Sequence, residues 1–243
     1  MTIALGINFG TYVFLAADTR VSFYDTNKRL VGYNDDHEKI CNTSIGLITG
    51  AGSVELLRLV NNRLAHIREI SSTDLLLDIV SEARARFRAR YSHMSRKYVE
   101  ETIEKTGWIF SYVTLAEGTF DTGTPVLRLG VIHPSGNIVG QRHLRDNCPY
   151  VIYPAEARDE DAEAIGKALG AQIKPSEQFK TIRESIQCNG LEIAALIQDI
   201  SPNFPSISPY CQIGAHTLDG RRGISKVVNP GATKISIRLV RKR

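Results

Sequence analysis

The way apolar periodicity changes along this chain limits its possible folds more than any single motif does. Short β-prone runs occupy residues 2–8 (TIALGIN), 12–18 (YVFLAAD) and 44–49 (SIGLIT). The first two are separated by Phe9, Gly10 and Thr11, as in a hairpin. Across the turn G-A-G-S the period lengthens: Leu57, Val60, Leu64 and Ile67 recur at three and four residues, placing a helix from about Ser53, a fitting N-cap. A longer helix is expected from Ser72 or Thr73 to about Lys105. Beyond Gly107 the strand pattern returns in WIFSYVTLA, VLRLGVIH, IVGQRHL and YVIYP. Helices at 158–169, 176–187 and 189–198 follow, then the proline-broken loop SPNFPSISPY and strands near 210–217 and 234–240.

Strands and helices therefore come in blocks, which excludes the alternating βαβ order of a doubly wound sheet. Two antiparallel sheets stacked face to face, with helix pairs on each outer face, bury every apolar stripe. The expectation is an α+β fold, a four-layer αββα sandwich. At 243 residues and 42% hydrophobic content the chain can fill such a core. With no internal repeat, low-complexity tract or linker, it reads as one domain over 1–243.

Charge excludes other classes. Thirty Lys and Arg against 26 Asp and Glu give a net +4, too mild for a nucleic-acid surface without a clustered basic face. The basic run ARARFRARYSHMSRKYVEETIEK is interleaved with Glu100, Glu101 and Glu104 and preceded by Glu82, so it reads as a solvated helix face. The basic end, Arg238 to Arg243, reads as a solvated terminus. Cys41, Cys148, Cys188 and Cys211 form no C-x-x-C pair and have no histidine at ligand spacing, which predicts reduced thiols and no metal or other cofactor. No leader precedes residue 2 and no apolar run approaches eighteen residues, so neither a secretory signal nor a membrane span is expected, and the cytoplasm follows.

The start of the chain carries the chemistry. Removing Met1, routine before a residue as small as threonine, would leave Thr2 with a hydroxyl and a free α-amine on adjacent carbons. An unperturbed α-amine titrates at about 7.7–8.0, so near neutrality part of it can take the hydroxyl proton. Threonine activated by its own amine is a recognised nucleophile. Such a site needs a cation to depress the amine's pKa, a carboxylate to orient that cation, and N–H donors for the oxyanion. Asp18 ends the strand that pairs with the first, Lys39 precedes the third run, and Gly50, Ala51 and Gly52 make the strand-to-helix turn. Lys28, in the polar loop between them, competes with Lys39. A side-chain pocket is expected near Ile48 and Thr49.

These residues resemble a known family. T-I-A-L-G-I, V-F-L-A-A-D-T-R and K-I before I-G-L-I-T-G-A-G are similar to the proteasome β-subunit and the related bacterial peptidase rings among the N-terminal nucleophile hydrolases. The sixteen-residue separation of Thr2 and Asp18, with Arg20 two further on, matches that family's spacing. The likeness is specific over residues 2–67, and points to a divergent bacterial proteasome homologue, related to the peptidase-ring and ancestral-β-subunit families. It implies that Thr2 is nucleophile and base, that Asp18 orients Lys39, and that the turn at Gly50–Gly52 supplies the oxyanion N–H. It also implies a homo-oligomeric double ring that cleaves unfolded polypeptides, fed by an ATP-dependent unfoldase.

Two departures stand out. The Asp18–Lys39 segment is longer than the family pattern, and V-I-Y-P-A around Tyr153 and Pro154 replaces its serine turn. The D-x-x-S-G element survives only as Asp199 and Ser201, followed by Ser206 and Ser208. Two alternatives to a peptidase stay open: a non-catalytic ring-forming subunit, and an amidase or peptide ligase using the same acyl-enzyme.

Overall fold

The computed structural model describes residues 3–24, 29–67, 73–115, 124–135, 138–143, 147–154 and 156–241. In chain order the first elements are β1 (Ala4–Asn8), β2 (Tyr12–Asp18), β3 (Val21–Tyr24), β4 (Leu30–Asn34), β5 (Cys41–Asn42), β6 (Leu47–Ala51), α1 (Val54–His66), α2 (Thr73–Arg90) and α3 (Arg96–Glu104). There follow β7 (Gly107–Leu115), β8 (Pro125–Ser135), β9 (Ile138–His143), β10 (Tyr150–Ile152), α4 (Asp159–Gln172), α5 (Ile182–Ile200), β11 (Cys211–Thr217), β12 (Arg221–Ile224) and β13 (Val240–Arg241).

One antiparallel sheet has the order β10-β1-β2-β11-β12-β13 and the other β5-β6-β7-β8-β9. The alternation in β2 shows why the two stack. Tyr12, Phe14 and Ala16 face the core shared with α4 and α5, while Val13, Leu15 and Ala17 face the second sheet, and all six are buried. Opposite them, Leu47, Ile109, Leu127 and Leu129 fill the space between the sheets. Small residues on β1 let the sheets approach: a Cβ on Gly6 would stand 2.8 Å from Ile109 and 2.9 Å from Leu129. On the far side of the second sheet, Trp108, Phe110 and Ile132 pack against Leu56, Val60 and Phe87 of α1 and α2. Each large side chain buried in this way contributes roughly 1.5–3 kcal/mol. The result is the four-layer αββα sandwich that the block pattern predicts.

Several boundaries differ from expectation. The single helix expected to run to Lys105 is two, α2 and α3, because Ser95 caps a fresh start: its hydroxyl accepts from Tyr98 N–H at 3.2 Å. The helices expected at 176–187 and 189–198 are one, α5, preceded by a single 3₁₀ turn at Ser176–Gln178. Gly190 does not break α5; a Cβ there would sit 2.4 Å from Ile235, so the glycine allows a close approach. The strand expected at 234–240 shrinks to β13, since Ile235 N–H goes to Gln187 Oε1 at 3.1 Å instead of to a ladder. The polar loop expected between Asp18 and Lys39 contains a two-stranded ribbon, β3–β4, that belongs to neither sheet.

The basic run of α2 is compensated. Arg86 meets Glu82 at 2.6 Å, Arg88 meets Glu100 at 2.7 Å and Arg90 meets Glu55 at 2.5 Å. Arg84 departs from the solvated face and is buried. No helix among the described residues is long and apolar enough to cross a membrane.

Candidate active site

The β1–β2 hairpin delivers Asp18 to the start of the chain. Its turn is closed by Gly10 at φ 77°, where glycine carries no Cβ penalty, and Gly10 N–H donates to Asn8 Oδ1 at 3.0 Å. The register places Ala4 opposite Ala17. One step further, Asp18 N–H donates to the Ile3 carbonyl at 3.2 Å, and Ile3 N–H donates to Asp18 Oδ1 at 3.0 Å. Asp18 therefore binds the residue that follows Thr2 in the chain. Thr2 itself, the candidate nucleophile, and Lys28, the competing lysine, lie outside the described residues.

Asp18 is fully buried, and every group bonded to it is a donor. Besides Ile3, the N–H groups of Arg20 (2.8 Å) and Ser208 (3.2 Å) donate to Oδ2, and Lys39 Nζ lies 3.3 and 3.4 Å from the two oxygens. Burial pushes the carboxyl's pKa up, opposed by Lys39 and the three N–H bonds. With donors only around it, the ionised carboxylate is the form this cradle fits. Burial pushes the Lys39 ammonium down, and Asp18 opposes that shift. Lys39 Nζ also donates to the Arg20 carbonyl.

The backbone around Lys39 hangs from β11. Gln212 Oε1 accepts from both Lys39 N–H (3.0 Å) and Ile40 N–H (2.9 Å). Because Gln212 lies opposite Ala17 and Cys211 opposite Asp18, the strand that borders the carboxylate also carries the clamp on the lysine segment. Arg20 braces the other side: its guanidinium is bidentate on Asp35 at 2.6 and 2.8 Å, donates to the Pro205 carbonyl at 2.9 Å, and lies 3.8 Å over the Tyr33 ring.

Of the residues thought to survive from a supporting shell, Ser208 alone reaches the site. Its N–H is on Asp18, and its hydroxyl accepts from Thr19 Oγ1 at 3.3 Å and from Tyr210 N–H at 3.1 Å. Ser201 bonds instead to the Gln198 carbonyl at 2.9 Å, Ser206 N–H goes to Glu156, Asp199 is exposed, and Tyr153 packs on the α4–α5 core.

Lys39, Thr49 and Gly50 line a cavity of ≈ 190 Å³ with Val21, Ile48, Leu57 and Trp108. Strand β5 pairs with β6 only as far as Ile48, so from Thr49 onward β6 has a strand partner, β7, on one side alone. Ala51 and Gly52 do not line this cavity. Ala51 is packed between the sheets, and Gly52, at φ 123°, lies where a Cβ would come within 2.5 Å of Thr106. Here Ser53 takes over as N-cap of α1, its N–H bonded to Thr106 Oγ1 at 2.9 Å.

Other nucleophiles and ligands are poorly placed. The Cys211 thiol, buried beside Asp18, is pushed up to about 12, and burial also raises Cys41. Among the described residues no group of three or more His, Cys, Asp or Glu side chains is placed to hold a metal ion.

Gln212 was missed by sequence reasoning. Its one signal is a polar residue inside the otherwise apolar run C-Q-I-G-A, and nothing local indicates that it faces Lys39.

No family model matches the chain, and no curated protein matches it. Solved structures do match. An Anbu (Gly-1) mutant from Hyphomicrobium sp. strain MC1 aligns over 99% of this chain and 87% of that one, at 12% identity and a TM-score of 0.54. Anbu (ancestral beta-subunit) from Yersinia bercovieri aligns over 89% and 82%, at 11% identity and 0.55. A second Anbu structure from the Hyphomicrobium strain aligns over 97% and 86%, at 14% identity and 0.51. These figures correct the family assignment that residues 2–67 suggest: with no family model or curated relative behind it, 11–14% identity does not carry membership of the proteasome β-subunit family. What the chain shares with these proteins is the proteasome-like αββα fold of the N-terminal nucleophile hydrolases.

Proposed function

We propose that this chain is an N-terminal threonine peptidase that acts as a single domain within a homo-oligomeric ring. The observation that carries the reading is the Asp18 carboxylate, which accepts at once from the N–H of Ile3, the residue after Thr2, and from Lys39 Nζ at the wall of a side-chain-sized cavity.

After loss of Met1, the Thr2 α-amine takes the hydroxyl proton as Thr2 Oγ attacks the substrate carbonyl. Lys39, held by Asp18 and Gln212, keeps the amine's pKa down by like charge and stabilises the oxygen. Backbone N–H at Gly50, on the flank of β6 that β5 leaves open, meets the developing oxyanion. Collapse of the tetrahedral intermediate breaks the C–N bond, and the amine's proton passes to the leaving group. Water then attacks the acyl ester, delivering a proton back to Thr2 Oγ and releasing the acid. Assembly is supported by β3–β4, where Phe23, Val31 and Tyr33 are more than half exposed at 53%, 66% and 57%. A closed chamber of such subunits restricts substrates to unfolded polypeptides, and an ATP-dependent unfoldase is the partner such a chamber calls for.

Intact mass of the purified protein should show loss of one methionine, and short fluorogenic peptides should be cleaved. Thr2→Ala should abolish cleavage while leaving the melting temperature and oligomeric size unchanged. Retention of Met1 overturns the reading, because the amine is then displaced from the hydroxyl. Processed protein that forms rings but is not labelled by a threonine-directed electrophile is a structural subunit, and faster turnover of simple amides than of peptides marks an amidase.

A further inference from the structure

We propose that Glu156, held by the loop that passes the start of β1, is the counter-ion of the Thr2 α-amine and stabilises the ammonium formed when that amine takes the hydroxyl proton. The inference rests on the reading of Thr2 as nucleophile. Glu156 directly follows V-I-Y-P-A, where this chain departs from the family pattern.

Strand order brings Glu156 to the start of the chain. β1 lies between β2 and β10, and its register with β10 sets Leu5 opposite Val151 and Ala4 opposite Ile152. Antiparallel pairing carried on from Ala4 leads toward the amino terminus along β1 and toward Tyr153 and Pro154 beyond β10. There the chain folds back: the Pro154 carbonyl accepts from Ala157 N–H at 3.0 Å, with Glu156 inside that turn.

Residues 205–208 join the two flanks of β1. On the β2 side, the Pro205 carbonyl accepts from the Arg20 guanidinium at 2.9 Å, and Ser208 N–H donates to Asp18 Oδ2 at 3.2 Å. Between them, Ser206 N–H donates to Glu156 Oε1 at 3.2 Å on the β10 side. The other oxygen of Asp18 holds Ile3 N–H at 3.0 Å, so this loop and the start of the chain share one carboxylate. A segment tied to both neighbours of β1 passes the end of that strand, and Thr2 is the next residue in the chain.

Two acceptors on this flank are short of donors. Ser206 does not touch the Asp18–Lys39 pair; its Oγ is fully buried at the corner of the turn Phe204–Ile207 and makes no hydrogen bond among the described residues. Glu156 accepts its one N–H, and no cation among the described residues pairs with it. An α-ammonium is both a cation and a triple donor, and so suits both groups.

The surrounding charges show what the carboxylate adds. Asp18 is committed to Lys39 at 3.3 Å and Arg20 to Asp35 at 2.6 Å, while residues 205–208 carry no charge. His37, whose N–H donates to the Thr19 carbonyl at 3.3 Å, and Glu38 line the cavity beside Lys39. Lys39 favours the neutral, proton-accepting amine, but the same repulsion opposes the ammonium that proton transfer creates. A carboxylate on the far flank offsets that repulsion, as the aspartate of a serine protease does for its imidazolium.

Two readouts on the full chain test this positioning role. The amine's pKa is obtained from the pH dependence of its acetylation by limiting acetic anhydride, followed by mass spectrometry of the N-terminal peptide, in the wild type and Glu156→Gln. In parallel, kcat/KM for a fluorogenic peptide is followed over the same pH range. Removing the carboxylate is expected to lower the amine's pKa by roughly 0.5–1, and to move the acid limb of kcat/KM to lower pH by the same amount. It should also reduce kcat about tenfold. Both shifts should shrink in about 1 M salt, and the melting temperature should not change because Glu156 is exposed. An amine pKa that is the same in both proteins overturns the inference, as does an acid limb that moves without it. A shifted pKa in a protein that cleaves nothing upholds the contact and removes the catalytic reading; cleavage with an unshifted pKa does the reverse.

Discussion

The two ends of β11 each touch a buried polar cluster, and the clusters are built differently. At the start, Cys211 and Gln212 border the Asp18–Lys39 pair, where a full charge of each sign is held in contact and the carboxylate is saturated with donors. At the end, His216 meets Ser111 of the opposite sheet at 2.9 Å. Ser111 Oγ also accepts from Leu47 N–H at 3.0 Å, so this one hydroxyl ties His216 to two strands of the opposite sheet. Burial and the nearby Arg222 push His216 down to about 3. Arg222 binds the carbonyls of Thr43 and Ser44 and Asn42 Oδ1, none of them charged. The second cluster ties sheet to sheet without a proton to exchange near neutrality. The first retains an ion pair at the mouth of a cavity, where burial alone disfavours it, and perturbed charges of this kind gather at working sites.

Breaking the ion pair should have the largest effect. Asp18→Ala strands a buried ammonium and three N–H donors, so equilibrium denaturation is expected to show a loss of about 3–5 kcal/mol, together with loss of peptide cleavage. A variant as stable as the wild type would mean that Lys39 is solvated and the contrast false.

Acid should separate the clusters next. His216 takes up its proton only near about 3 in the fold, but near about 6.5 when unfolded. Between those values the unfolded state binds more protons, so this histidine's contribution is complete above about pH 6.5 and is lost as pH falls, at up to about 1.4 kcal/mol per pH unit. Urea titrations of the wild type and His216→Asn should converge on acidification; parallel curves would show that the imidazole is not buried neutral.

Gln212→Met keeps the volume but leaves the Lys39 and Ile40 N–H groups unpaired, at a cost of about 1–3 kcal/mol. If Gln212 positions the lysine, peptide cleavage should fall mainly in kcat and its pH profile should shift; an unchanged profile would leave it a structural residue. The smallest effect sets the baseline: removing the exposed Arg86–Glu82 pair with Arg86→Ala should change stability by about 0.5 kcal/mol or less, and a larger loss would undermine the distinction between surface and buried pairs.

Much of the frame was legible because it is periodic. The two-residue alternation of YVFLAAD marks both faces of β2, and the three- and four-residue spacing after Ser53 marks α1. Asp18 and Lys39 could be picked out because each sits at the end or the start of such a run. The elements that sequence misjudged are those whose ends depend on a neighbour. The break expected between 187 and 189 is absent from α5, and the 234–240 run looks like a strand until Gln187 takes one of its N–H groups.

The sequence by itself determined the blocks of strand and helix, and hence the four layers, because burial of an apolar stripe depends only on local order and period. It also supplied the candidate nucleophile at Thr2 as a chemical possibility. Tertiary structure alone decided which distant groups hold the site: Ser208 N–H reaches Asp18 across 190 residues, and Gln212 reaches Lys39 across 173. It alone put Thr49, Gly50 and Trp108 into one cavity with Lys39 and left Ala51 and Gly52 out of its wall. The reason is physical: side-chain period fixes which face a residue occupies, while its partner on that face is set by strand order and register, which no local stretch encodes.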